Sequence, residues 1–345
     1  KKYDMLNAEE WGKVYWQACK NANIQPSHDL YGNGDTPQLI EGAANTDWQD
    51  EVYHSAWTNN LSASVSNSGK KGSMMFSANY INQNGLIDQT FYRRYSARLN
   101  SNYNISKYVT VGENLMLAKW FDRGCATQSD RGIPFLAVSQ HPGLAVRNSD
   151  GSFMSPMTAI KSDFANPVQQ IYNESDNSNE SWRIFGNAFV ELKPVKGLTL
   201  RSNFGLDFKT SFINSMTNTY HSDIVNNDIA KTTLSNNNET NWTWSNTAQY
   251  VTQIGKHNID VLGGMEFSKQ SVIDFSAYSE GYALEDVDYM WPNAATGTMR
   301  NSGAKVGYRL ASFFGKVNYN WDDLLLASFT IRHDGSSRFG KAHRW

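Results

Sequence analysis

The sequence predicts an all-β protein, a transmembrane antiparallel β-barrel with long extracellular loops, of which about ten strands are present. Three observations carry that expectation. Ten segments alternate apolar and polar residues with a period of two, most of them outrun the strands of soluble sheets, and the links between them are short and long in strict succession. A soluble strand averages about five or six residues, whereas a tilted strand crossing a bilayer needs about nine to eleven. Outer-membrane barrels place short turns on the periplasmic side and long loops outside, so the alternation assigns each link a side.

The elements follow in order. Leu6, Trp11, Val14, Tyr15 and Ala18 recur at helical spacing behind Asn7, a capping residue, which predicts a short amphipathic helix over 8–20. From 21 to 50 the chain is rich in Asn, Gly, Pro and Asp and reads as an ordered loop, so 1–58 is expected to be an extracellular loop region with one helix. Strands are expected at 59–68, 73–83, 91–103, 108–120, 182–192, 197–211, 240–253, 257–271, 306–320 and 324–334. Leu61, Ala63 and Val65 oppose Ser62, Ser64 and Ser66. Tyr95, Ala97 and Leu99 oppose Arg94, Ser96 and Arg98, and Leu198, Leu200, Phe204, Leu206 and Phe208 oppose Thr199, Arg201, Asn203, Asp207 and Lys209. Short links fall at 67–72, 104–107, 193–196, 254–256 and 321–323, and long ones at 84–90, 121–181, 212–239 and 272–305. Both ends of the chain then lie on the loop side and no secretory signal is recognisable, as expected of a piece of a larger barrel without its plug domain.

Composition fits. With 31 basic against 33 acidic residues the chain lacks the charge of an electrostatic nucleic-acid binder, and its mean hydropathy of -0.56 excludes a helical membrane protein. A barrel needs no long apolar run, because every second residue faces lipid while its neighbours face a polar lumen. Arg94, Arg98, Arg201, Asp207, Lys209, Asp260 and Glu266 share the polar parity, tolerable against water or a polar plug and costly in a packed core. Tyr92, Tyr95, Tyr103, Tyr108, Trp120, Trp182, Tyr308, Tyr319 and Trp321 cluster near strand ends, as interfacial girdles do, although aromatics also simply favour strands. A soluble sandwich is the competing reading, since alternation alone describes one too.

No catalytic constellation stands out, and no enzyme activity or obligatory cofactor is expected. The seven histidines show no metal-ligand spacing. Glu285, Asp286 and Asp288 offer oxygens for a structural calcium in an outer loop, yet match no complete EF-hand, and a solvated acidic turn accounts for them better. Cys19 and Cys125 both fall on the outer side, where a disulfide between them and two free thiols are both open.

Several runs carry a resemblance: 46–52 (TDWQDEV), 94–100 (RYSARLN), 166–168 (NPV), 197–200 (GLTL) and above all 331–340 (IRHDGSSRFG). In this order they resemble the barrel of SusC-type TonB-dependent outer-membrane transporters. The resemblance implies roughly the first half of a 22-stranded barrel in a Gram-negative outer membrane, with plug and TonB box upstream. It also implies a SusD-like surface lipoprotein as lid, energy from the TonB–ExbB–ExbD complex, and import of oligosaccharides or peptides, with outer-membrane lipid as the surrounding partner and no nucleic acid. Sugar rings stack on aromatic faces, so Trp57, Trp120, Phe121, Trp182, Tyr278, Tyr282, Tyr289 and Trp291 are the candidate substrate contacts. A passive porin and a surface glycan-binding or adhesin protein are the alternative functions.

Overall fold

The computed structural model describes residues 2–125, 127, 131–221 and 226–345. Two helices, α1 (Ala8–Asn21) and α2 (Trp48–Val52), precede a four-stranded meander of β1 (Thr58–Gly69), β2 (Gly72–Asn84), β3 (Phe91–Asn104) and β4 (Val109–Arg123). Three further helices follow, α3 (Ile133–Ser139), α4 (Pro156–Ile160) and α5 (Pro167–Asn173). Then come β5 (Ser178–Leu192), β6 (Leu198–Thr217), β7 (Lys231–Ile254), β8 (His257–Glu280), β9 (Met299–Trp321) and β10 (Leu325–Ser336). The strands form one antiparallel sheet in the order β1 to β10, each paired with its chain neighbour. Ladder hydrogen bonds thus satisfy the backbone between strands, as a lipid environment demands. No described helix is long and apolar enough to cross a membrane.

Register sorts the side chains onto two faces. Leu61, Tyr80, Tyr95 and Lys119 stand in one cross-strand row, and Val261, Val317 and Phe329 in another; both rows belong to the apolar face. Asp260, Asn318 and Ser328, one residue along, form the corresponding row of the polar face and are joined by hydrogen bonds of 3.1 and 2.8 Å. All seven charged residues expected on the polar face lie there. On the apolar face Leu61 is 66% exposed, Phe329 65% and Ile331 61%; the described chain leaves most of this face uncovered, with Trp345 stacked on Phe313 and His333 near its outer end. A sandwich would bury these side chains against a second sheet.

About half of each of the expected loops at 212–239 and 272–305 is strand, and 222–225 lie outside the described residues. β6 runs on to Thr217, β7 begins at Lys231, β8 continues to Glu280 and β9 starts at Met299. At about 3.3 Å per residue, the 24-residue β7 and β8 are about 80 Å long, far more than a bilayer requires. The upper part of β7 is dominated by Asn, Ser and Thr, which obscures the alternation in the sequence. The tight turns are as expected: Asp322 and Asp323 both adopt left-handed backbone (φ 49° and 57°), matching the twist of the hairpin they close.

Aliphatic burial concentrates beyond the strand ends. Residues 2–57 fold onto the described residues of 131–173. Trp16, Leu30, Tyr31 and Trp48 pack with Leu144, while Val52 and Ile87 pack with Ile133, Ala137 and Ile171. Helix α1 begins with a full capping box between Asn7 and Glu10, and α2, unforeseen from the sequence, is capped by Asp47. Asn166 caps α5 and is fully buried. Its Oδ1 accepts from Val168 and Gln169 N–H, and its Nδ2 donates to the carbonyls of Val146 (2.9 Å) and Met154 (3.3 Å). Both cysteines are free: Cys19 is buried on α1, whereas Cys125 lies against the Val52 cluster.

Candidate functional site

The polar face of the sheet is a continuous wall of hydrogen-bonding groups. Asn114 donates to Asn187 (3.2 Å) and Asn187 to Asn203 (2.6 Å), an amide row crossing β4, β5 and β6. Arg183 grips Asp207 through two bonds of 2.8 Å, the strong fork-to-carboxylate geometry. Glu239 accepts from Asn241 (2.9 Å) and Gln270 (3.3 Å), and Arg332 reaches Asp334 (2.8 Å) and Ser312 (3.0 Å). Phe189 and Phe185 lie under the guanidinium groups of Arg201 (4.1 Å) and Arg183 (5.2 Å). Arg94 and Arg98 differ: both direct an Nη2 at the Met116 sulfur, at 3.8 and 3.9 Å, and Nε of Arg94 is unpartnered. A wall of amides, hydroxyls, cations and stacked rings binds polar solutes by hydrogen bonding and ring stacking.

The aromatic candidates divide. Trp120 is on this wall, 5.8 Å from Lys209 Nζ, and Tyr278 is on it near the outer end of β8. Phe121 and Trp182 are on the apolar face instead, flanking Lys119 at 4.5 and 4.4 Å, because their parity is opposite to that of Trp120. They stand with Tyr95 towards the outer end of the apolar face, Tyr103, Tyr319 and Trp321 stand at its opposite, short-turn end, and Tyr92 and Tyr308 face the wall. Tyr282 packs on Met216, Ala230 and Met290, close to the exposed Tyr289 and Trp291 of the same loop, while Trp57 stands apart, 80% exposed, before β1. Phe185 and Phe189 went unnoticed in the sequence, although an aromatic on the polar parity was the available signal.

Two recesses open beyond the strands. One of about 660 Å³ lies between 2–7, Trp11, 45–48 and 137–142. A smaller one of about 330 Å³, between α5 and the outer ends of β6 and β7, is lined by Arg131, Gln169, Gln170, Asn173, Tyr220 and Lys231. Glu285 accepts from Thr219 N–H and Oγ1, and Asp286 caps Asp288 N–H. Among the described residues no three metal-ligating side chains converge.

The helical layer is held by a nest of rings. Trp11 lies 4.1 Å from His141 and 5.2 Å from His28, and the two imidazoles stack at 5.3 Å. Gly143 N–H donates to Nδ1 of His141 and Leu30 N–H to Nδ1 of His28, so both rings are neutral and protonated at Nε2. Burial, assisted by His28, lowers the His141 pKa from 6.5 to about 4; burial lowers that of His28 as well. Because the folded value is depressed, stability is full above pH 6.5 and is lost as pH falls from there towards about 4. The loss from His141 alone approaches about 3 kcal/mol. Amide protection factors over 8–31 and 133–144 should fall through that window, and His141→Gln should flatten the response; protection factors unchanged with pH would refute it.

No family model matches the chain. It is 26% identical over 322 residues to TonB-dependent receptor P3 of Formosa agariphila, covering 91% of this chain and 32% of that protein. It is 25% identical over 377 residues to TonB-dependent receptor SusC of Bacteroides thetaiotaomicron, covering 100% of this chain and 34% of the relative. The structure of the RagAB peptide transporter superposes with a TM-score of 0.78 at 24% identity, over 99% of this chain and 41% of that one. The chain therefore spans about a third of the curated relatives it matches. Its ten strands have the fold of the β-barrel of those receptors, with the apolar face outward and the polar face inward. The chain is similar in sequence to TonB-dependent receptors, SusC among them, and its ten strands have the fold of a segment of such a receptor's barrel.

Proposed function

We propose that this chain forms part of an outer-membrane, TonB-dependent importer of a nutrient too large for porins, an oligosaccharide or a peptide, working beneath a SusD-like surface lipoprotein. The observation that carries the proposal is the sorting of side chains: a largely uncovered apolar face backs a wall of amides, charged groups and stacked rings, which suits lipid on one side and a polar solute or plug on the other. The named relatives are receptors and the structural neighbour is a peptide transporter, which supports transport over enzymatic turnover. Trp120 and the amide row would contact cargo inside, and the recess beside Tyr220 would meet it at the outer end.

Deleting the gene that encodes the full polypeptide should abolish growth on one class of oligosaccharide or peptide, and disrupting TonB should have the same effect. Trp120→Ala should lower uptake while leaving the amount of barrel in the membrane unchanged. Uptake that persists without TonB, together with conductance of the same solute in liposomes, would establish a passive porin instead.

A further inference from the structure

From β6 to β10 every strand carboxylate, from Asp207 to Asp334, points inward. The outward face of these strands carries three cations and no carboxylate. Lys269 on β8 and Arg309 on β9 are cross-strand partners, and Lys305 follows on the same face of β9. None makes an ion pair or a side-chain hydrogen bond among the described residues. Like charges placed directly opposite destabilise a sheet unless an anion lies between them.

Their height identifies the anion. Below Lys269 the outward residues of β8 are Phe267, Met265, Gly263 and Val261, and below Arg309 those of β9 are Ala311, Phe313, Gly315 and Val317. Arg309 is twelve residues above Trp321, about 40 Å along a strand tilted by about 40°, hence about 30 Å above the periplasmic rim. That is the outer boundary of the hydrocarbon, where headgroups begin. Trp242, the cross-strand partner of Lys269, adds an aromatic surface. At a similar height across the sheet, Lys119 is already neutralised by Glu180 at 2.6 Å.

Resting on the reading of this face as lipid-facing, we propose that Lys269, Arg309 and Lys305 bind the phosphate of an outer-leaflet glycolipid headgroup. Arginine supplies the fork that phosphate accepts in two bonds, and the two lysines supply adjacent charge.

The test uses the full natural polypeptide in nanodiscs of phosphatidylcholine doped with lipopolysaccharide, either phosphorylated or enzymatically dephosphorylated, with bound lipid counted by native mass spectrometry. The wild type should prefer the phosphorylated form by roughly ten-fold, and Lys269→Gln with Arg309→Gln should cut that preference to about two-fold or less. Lys119→Gln should leave it unchanged and Arg309→Lys should preserve part of it, which answers the case in which the double variant fails to fold. Excess inorganic phosphate should not compete. An undiminished preference in the double variant, or full displacement by inorganic phosphate, overturns the proposal. A polypeptide that does not enter the bilayer overturns the transmembrane reading itself, whereas one that enters and shows no phosphate preference overturns only this inference.

Discussion

Replacing Asn166 with alanine should destabilise the helical layer above the barrel by about 2 kcal/mol. The side chain uses all four of its hydrogen-bonding positions in a site with no solvent exposure. Removing the cap of α5 costs about 1 kcal/mol. The carbonyl of Met154 would then be left without a donor, at a penalty of about 1 kcal/mol or more, while that of Val146 would keep Met154 N–H at 3.1 Å. Asn166→Asp retains the two capping bonds but sets an oxygen against those carbonyls, so it should be no better than alanine. Denaturant unfolding of the layer, followed by hydrogen exchange over 133–173, measures both. Unchanged protection in the alanine variant would show that the four bonds do not govern this region. The pattern also gives the 166–168 run a physical basis: a proline at the first helical position and an amide before it start the helix and tie it to two neighbouring loops.

The second large effect concerns adjacent residues on β9. Val317 faces outward between Val261 and Phe329, and Asn318 faces inward between Asp260 and Ser328. Val317→Arg should destabilise the folded barrel in a bilayer by about 2–4 kcal/mol, the range for a cation on the lipid face near the midplane. Asn318→Arg, with Asp260 beside it, should cost far less. Reversible unfolding in liposomes compares the two directly, and equal costs would contradict the assignment of faces.

Much of this was legible in the sequence because a two-residue period is unmistakable wherever one face is apolar. The strand at 91–103, with Tyr95, Ala97 and Leu99 against Arg94 and Arg98, is found within a residue of its observed bounds. The signal fades where both faces are polar. Residues 231–239 of β7 read as a loop because Asn, Ser and Thr occupy either parity, and ladder bonds to β6 and β8, set by distant residues, make them strand. The same limit explains Phe121 and Trp182: proximity to a loop suggested ligand contact, whereas parity fixes the direction of a side chain. The ring nest of Trp11, His28 and His141 joins segments more than a hundred residues apart, which no local pattern encodes.

The unequal strands slant the outer edge of the sheet. β1 has 12 residues and β8 has 24, so the two differ by about 40 Å along the strand direction. The edge thus climbs from a low sill at β1 to a high parapet at β7 and β8.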